Sequence, residues 1–508
     1  MLLAALVGIL CLLALPVVRT PLYELVGKKF VRYQRRALGR SRYTTKYIGF
    51  FHPYCNAGGG GEKVLWRAVA ETLSYDRNCF VVVYTGDVDS SREEIIKNVR
   101  HRFDYDMDFE RVGFVFLHHR DWVDGKTWKH LTLLGQAVGS MLLTAEALVR
   151  FVPDIWCDTM GYPFGYPVVK FFTGLPIITY THYPVISSDM LEKLELEIEK
   201  SPSKTGTAKL IYWKLFMRWY RFVGSCVDVA TTNSTWTNNH IKSIWTKTQS
   251  RVIYPPCSTE KLVAHIGVDS EDYSQRKDQA VIIAQFRPEK RHTLLIDNYA
   301  EFLDRLEPGQ KHFKLIMVGS TRSADDRKYV ESLMTHAYED LGINKDDLVF
   351  KTDCSYEEVK NILKESTFGI NTMWNEHFGI AVVEYAAAGL ISLVHASAGP
   401  LLDIIVPWDS TSKRELPYDQ IDENNRTGFF FKDKSDPDFK ESKEEFQKYE
   451  TLSQVFEKVN TLTVEKRKAI SQRAKDCALS KFSDKQFDHQ WDHALDDLEH
   501  KVSRLGSN

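Results

Sequence analysis

Short, almost wholly apolar runs recur along this chain, each followed by a polar or glycine-bearing turn and then by a stretch of helical composition. Runs at 47–52, 80–85, 112–117, 280–284, 312–318, 348–350 and 390–394 lack polar alternation, as strands of a parallel sheet covered on both faces do. Helical stretches at 64–73 and 380–388 follow two of the turns. The pattern predicts an α/β chain of alternating strands and helices.

Three apolar stretches do not fit a strand. Residues 1–18 carry no charge and would span roughly 27 Å as a helix, against roughly 30 Å for a bilayer core. A basic tract follows from Arg19 to Lys46, which predicts an uncleaved single-pass anchor with its N-terminus away from the cytosol. A cleaved secretory signal is the alternative, but its positive charge precedes the apolar run. The second stretch, 131–151, is interrupted by Gly135, Gln136, Gly139, Ser140 and Thr144, and reads as a buried or membrane-surface helix rather than a crossing. The third, 209–222, mixes Lys and Arg with aromatics; it reads either as a helix lying on an anionic membrane or as a core helix with snorkelling bases.

With 508 residues the chain can form two or more domains, and its formal charge of −2 leaves no reason to expect a nucleic-acid partner. Eight scattered cysteines without a paired C-x-x-C suggest neither a disulfide framework nor a zinc site.

The candidate chemistry sits at strand ends. Glu376 lies in the turn after a strand, seven residues separate it from Glu384 in the following helix, and the amides of Phe378, Gly379 and Ile380 lie where a helix start leaves N–H groups free. Such a turn holds an anion on the amides and sugar hydroxyls on the carboxylates, or else is a plain crossover with Glu384 facing solvent. Gly58, Gly59, Gly60 and Gly61 follow the first strand and let the backbone approach a ligand, with neither dinucleotide nor Walker spacing. His182 stands just past a strand end, without a second histidine at zinc spacing. Arg287, Lys290 and Arg291 follow another strand and suit a diphosphate or a solvated surface. Asp87 and Asp89 read as a polar turn with Asp89 or Ser90 capping a helix near Arg92, and less readily as metal ligands.

The Glu376 to Glu384 motif, with Phe378-Gly379 inside it, resembles the nucleotide-sugar motif of retaining glycosyltransferases of the two-Rossmann-domain GT-B type, family GT4. That resemblance implies the GT-B fold with an interdomain cleft, here with an N-terminal transmembrane helix. It implies Gly58–Gly61 and His182 at the donor sugar, Glu376 gripping sugar hydroxyls and Glu384 the nucleotide ribose. It further implies Lys290 at the diphosphate and Gly319 and Gly399 beside the nucleotide. Gln285 stands where the family carries arginine and Arg291 where it carries glycine; either Arg287 supplies the missing guanidinium or one phosphate contact is absent.

Within the family, the phrases at 52–62, 180–184 and 284–290 resemble the eukaryotic branch that extends a dolichol-diphosphate-linked oligosaccharide with α-1,2-mannose on the cytosolic face of the endoplasmic reticulum. The implied partners are GDP-mannose as donor, the trimannosyl-chitobiosyl lipid receiving its fourth and fifth mannoses, the membrane, and other dolichol-pathway mannosyltransferases. Neither a metal nor a cofactor is expected. The alternatives are a GT-B transferase for another polyisoprenoid or inositol lipid, and a membrane-tethered scaffold without chemistry. Expected boundaries are an anchor at 1–18, a juxtamembrane segment at 19–43, an acceptor domain at 44–272, a nucleotide-sugar domain at 273–470, and helices at 471–508 packing back on the first domain. The sequons at Asn233 and Asn425 are expected to stay unmodified on the cytosolic side.

Overall fold

The apolar runs form two parallel sheets. The computed structural model describes residues 46–266, 276–321, 323–439 and 448–506, so the expected anchor and juxtamembrane segment lie outside it. Two compact units emerge. The first holds the described residues up to Asn233, Thr237–Pro255 and the chain from Asp488; the second holds Ser234–Trp236 and Pro256–Phe487.

The first unit contains β1 (Lys46–Phe51), α1 (Gly60–Tyr75), β2 (Cys79–Thr85), α2 (Arg92–Phe103), β3 (Val112–Phe116), α3 (Thr132–Arg150), β4 (Ile155–Asp158), α4 (Tyr166–Thr173), β5 (Ile177–Thr181), α5 (Ser188–Lys200), α6 (Lys204–Gly224), β6 (Val229–Thr232), α7 (Thr235–Ile244) from Thr237 onward, and β7 (Ser250–Val252). Its seven strands run parallel in the order β3-β2-β1-β4-β5-β6-β7. Every residue of β2 is buried, as a strand covered on both faces requires.

The second unit continues with α8 (Thr259–Ile266), β8 (Gln279–Ile283), α9 (His292–Asp304), β9 (Lys314–Gly319), α10 (Ala324–Thr335), β10 (Leu348–Thr352), α11 (Tyr356–Glu365), β11 (Phe368–Asn371), α12 (Ile380–Ala387), β12 (Ile391–His395), the short pair β13 (Trp408–Asp409) and β14 (Arg414–Glu415), β15 (Gly428–Phe431), α13 (Leu452–Asn460) and α14 (Val464–Phe482). Its main sheet is again parallel, ordered β10-β9-β8-β11-β12-β15. The last helix, α15 (Asp484–Gly506), begins in the second unit and passes to the first at Asp488. The boundary expected at 471 falls inside α14, whose residues all belong to the second unit.

Two local expectations shift for physical reasons, and a third, that 131–151 does not cross a membrane, holds. Helix α1 starts at Gly60 rather than at Val64, because the Glu62 carboxylate reaches back to accept the Gly59 amide, a cap that glycine propensity alone hides. Helix α2 is capped by Ser91, not Asp89 or Ser90, because the Ser91 hydroxyl accepts the Glu94 amide while the Glu94 carboxylate accepts the Ser91 amide, a capping box. Helix α3 is long and apolar enough to cross a membrane by composition, yet β3 before it and β4 after it lie in one sheet, so it does not cross.

Burial explains why α15 is held. Trp491 is 0% exposed, stacks on Phe50 at 6.3 Å and donates its indole N–H to the Thr72 hydroxyl at 3.0 Å. Trp491→Ala is therefore expected to lower stability by about 3–5 kcal/mol, read in chemical denaturation with Asp488→Ala as the milder comparison. A loss below about 1 kcal/mol would show that the site collapses around the void.

Candidate active site

In an open parallel sheet, ligands bind outside the carboxyl ends of the strands where the strand order reverses. In the first unit that point lies between β1 and β4, and β5 is the next strand. His52 follows β1, Thr159 follows β4 and His182 follows β5. Their spacing is that of hydrogen bonds: His52 Nδ1 lies 2.9 Å from the Thr159 hydroxyl, and His182 Nε2 lies 3.0 Å from the Thr159 carbonyl. Thr159 is fixed in turn because the buried Asp158 carboxylate accepts the amides of Met160, Gly161 and Tyr162 and the Tyr166 hydroxyl.

The glycine run meets this cluster at the start of α1. A Cβ on Gly61 would stand 3.7 Å from His182 Nε2, so the first helical turn lies directly against that ring. Gly58 takes φ +79°, in the left-handed region, and turns the chain into the helix. Gly60 and Gly61, expected in the loop, belong to the first turn of α1 instead. Glu62 is within 3.4 Å of His52 Nε2; burial raises its carboxyl, but His52 and the Gly59 amide outweigh that and leave it below the usual range.

Burial lowers His182 to about 4. The ring is neutral at physiological pH, and because Nε2 donates to a carbonyl, Nδ1 is left as an acceptor. A neutral acceptor suits a sugar hydroxyl. His292, 1% exposed at the start of α9, is likewise lowered to about 4 by burial. Both folded-state values lie below the unfolded one, so the unfolded chain takes up protons first as pH falls. Stability present above about pH 6.5 should then be lost between pH 6.5 and 4, by about 3 kcal/mol from His292 alone. Chemical denaturation of wild type and His292→Gln across that range checks it; identical slopes in the two proteins would contradict the assignment.

In the second unit the order reverses between β8 and β11. The turn after β8 carries Lys290 and the turn after β11 carries Glu376, and the two side chains form an ion pair at 2.6 Å. Both are half-buried, and Thr372 clamps the pair by donating to the Lys290 carbonyl at 2.6 Å. Lys290, expected at a diphosphate, pairs with a carboxylate. Arg287 is exposed and makes no ion pair among the described residues.

The Glu376 turn is pinned from several sides. The Gly399 amide donates to the Glu376 carbonyl at 3.0 Å, and the Asn375 amide donates to the Ser397 hydroxyl at 2.9 Å. Ser397 lies 2.8 Å from His395 Nδ1, His395 Nε2 lies 2.9 Å from Asp436, and Asp436 pairs with Arg291 at 2.7 Å. Since Arg291 is the neighbour of Lys290, the chain of contacts closes into a ring around the Lys290–Glu376 pair. Burial raises the Asp436 carboxyl, but the hydrogen bond and charge of His395, the Asp433 amide and Arg291 leave it below the usual range. Arg291 itself takes φ +55°, the left-handed conformation for which a glycine is the usual solution.

Gly379 caps α12 at φ +103°, and a Cβ on Gly399 would come within 2.3 Å of the Phe378 carbonyl. No side chain fits at Gly399 without moving that turn. The first-turn amides at Ile380 have no intrahelical acceptor and sit at the positive end of the helix dipole. Phe378 contributes only backbone, since its ring is buried against Phe482 at 5.6 Å. Glu384 is half-buried on the second turn of α12; burial, then the charges of Glu384 and Glu376, raise the nearby Tyr385 hydroxyl. Gly319 ends β9 against the Ala284 carbonyl, with no room for a Cβ.

Comparison with known proteins joins these two clusters to one family. Residues 45–245 match the family described as "ALG11 mannosyltransferase N-terminus", and residues 269–475 match "Glycosyl transferases group 1". A Candida glabrata protein named GDP-Man:Man(3)GlcNAc(2)-PP-Dol alpha-1,2-mannosyltransferase is 65% identical over 502 residues, covering 99% of this chain and 98% of the relative. The chain belongs to that mannosyltransferase family. A Xenopus laevis member of the same name is 37% identical over 469 residues, covering 90% and 88%. Among solved structures, α,α-trehalose 6-phosphate synthase from Burkholderia multivorans aligns with a TM-score of 0.60 at 10% identity, covering 91% of this chain and 100% of that one, a likeness of fold alone.

Around these two clusters, sequence reading gave no individual role to His52, Glu62, His395, Ser397 or Asp436, although all but Asp436 lie in stretches that resemble the family. None has a spacing that announces it: His395 and Asp436 are 41 positions apart and meet only because β12 and the turn after β15 end side by side.

Proposed function

We propose that this mannosyltransferase moves mannose from GDP-mannose to Man3GlcNAc2-PP-dolichol with retention of the α configuration, adding the fourth and fifth mannoses on the cytosolic face of the endoplasmic reticulum. Family membership supports donor and acceptor, and the observation that supports the site is the Lys290–Glu376 pair at the switch point of the second sheet. Lys290, Arg287 and the α12 amides near Gly379 and Ile380 neutralise the departing diphosphate through charge-assisted contacts of about 1–3 kcal/mol each. Glu376, released as Lys290 turns to phosphate, takes sugar hydroxyls, and Glu384 takes those of the ribose.

In this reading the bond from the anomeric carbon to the diphosphate oxygen breaks as the bond to the acceptor hydroxyl forms on the same face. The acceptor proton passes to a donor phosphate oxygen, so no enzyme-linked sugar is formed. His182 and Gly58–Gly61 orient sugar hydroxyls at the first sheet. Gly319 and Gly399 keep their turns close to the nucleotide. The GT-B arrangement, an anchor at 1–18 with a lumenal N-terminus and association with other dolichol-pathway mannosyltransferases belong to the same proposal.

Because protein cations meet the diphosphate charge, transfer is expected to persist in chelator. A donor panel tests the reading: GDP-mannose should be used and UDP-sugars should not, with and without chelator. Activity lost in chelator and restored by Mn²⁺ would require carboxylate ligands such as Asp87 and Asp89 instead.

A further inference from the structure

Beside the half-buried Lys290–Glu376 pair lies a polar bridge that the chemistry above leaves without a task. The side chains of Asp436 and His395 are 0% and 1% exposed, yet each of their side-chain nitrogen and oxygen atoms has a partner. The ionised Asp436 carboxylate can only accept, so His395 Nε2 carries the proton between them at 2.9 Å, and Nδ1 of the neutral ring accepts the Ser397 hydroxyl at 2.8 Å. The Ser397 oxygen in turn accepts the Asn375 amide at 2.9 Å. At the other end Asp436 accepts the Arg291 guanidinium at 2.7 Å and the Asp433 amide at 3.0 Å.

The ends of the bridge are the chain neighbours of the pair: Arg291 follows Lys290, and Asn375 precedes Glu376. Arg291, Asn375 and Ala398, the residue after Ser397, take φ of +55°, +53° and +44°. Left-handed backbone at residues other than glycine persists where the surroundings over-determine it. The Lys290 turn has a hold of its own, since Thr372 donates to the Lys290 carbonyl at 2.6 Å and the Lys290 amide donates to the Arg287 carbonyl at 3.0 Å. The bridge therefore bears on the Glu376 turn, whose Asn375 amide it holds. A buried ionic pair adds little net stability over apolar side chains of the same size, whereas hydrogen bonds of fixed direction keep two turns in register.

We propose that Asp436, His395 and Ser397, joined to Arg291, are positioning residues: the bridge holds the Glu376 turn in register with Lys290 and so sets where the Glu376 carboxylate stands against the donor sugar. The role rests on the donor-site reading above and acts through Glu376, without a contact of its own to the donor.

Two measurements on the full chain test it. Asp436→Asn keeps the shape but replaces an acceptor oxygen by a donor, so either Arg291 or His395 loses its partner; Arg291→Gly removes the guanidinium and takes the left-handed conformation freely. In mannose transfer each should lower kcat by roughly tenfold with donor KM within about twofold of wild type, and by less than about twofold further when introduced into Glu376→Ala. A role in stability alone would cost the same factor in both backgrounds; that result overturns the proposal, as does wild-type turnover in either variant. Hydrogen exchange reads the bridge without any donor: the segment 371–379 should exchange faster in both variants than in wild type, while β9 exchanges as before. Unchanged exchange at 371–379 overturns the proposal whatever the kinetics. Wild-type turnover in Glu376→Ala, with faster exchange in the two bridge variants, would sink the donor-site reading and leave the bridge between the turns standing.

Discussion

Replacing Glu376 by alanine is expected to cut turnover by about 10²-fold or more while leaving GDP affinity roughly unchanged, because under the proposed function Glu376 orients the sugar and does not hold the nucleotide. The side chain sits in a turn fixed by Gly399, Ser397 and Lys290, so its loss is expected to leave the turn folded. The pair with Lys290 is only partly buried, so its removal should cost about 1 kcal/mol of stability or less. Glu384→Ala should fail differently, raising the donor KM with a smaller effect on turnover. Measuring kcat, donor KM and denaturation midpoint for both variants separates the roles; equal profiles would show that the two carboxylates are not divided between sugar and ribose.

Lys290→Ala should be the more damaging change, lowering kcat/KM by about 10²–10³-fold, as removal of a charge that stabilises a leaving group does. It also leaves Glu376 without its cation, so under the proposed function a bare carboxylate would face the incoming diphosphate. The double variant Lys290→Ala/Glu376→Gln should then bind donor better than Lys290→Ala alone, a departure from additivity expected of groups in contact. Arg287→Ala, at an exposed side chain without an ion pair among the described residues, should raise donor KM with little effect on stability. Wild-type kinetics for that variant would remove Arg287 from the diphosphate site.

The parallel strands were legible because a strand buried on both faces must be apolar throughout, and β2 and β12 show no alternation at all. The turn and helix at Glu376–Glu384 were legible because Gly379 marks a backbone reversal before a run of helix formers. The start of α1 was not, since Gly60 and Gly61 enter a helix only through a cap that Glu62 completes in space. The left-handed conformation of Arg291 had a signal, since Arg291 stands where the family carries glycine, but its pairing with Asp436, 145 positions away, did not. The Lys290–Glu376 pair lay between both extremes, each residue visible alone and their contact set by the adjacency of β8 and β11.

The most direct test of the donor site follows the sugar itself. GDP-mannose labelled with ¹³C at the anomeric carbon, offered with the trimannosyl lipid to wild type and Glu376→Ala, is read by NMR of the product linkage. An α-linked product from wild type, and loss of that product in a Glu376→Ala protein that still binds GDP, is the predicted result; a β-linked product, or undiminished transfer by Glu376→Ala, would contradict it.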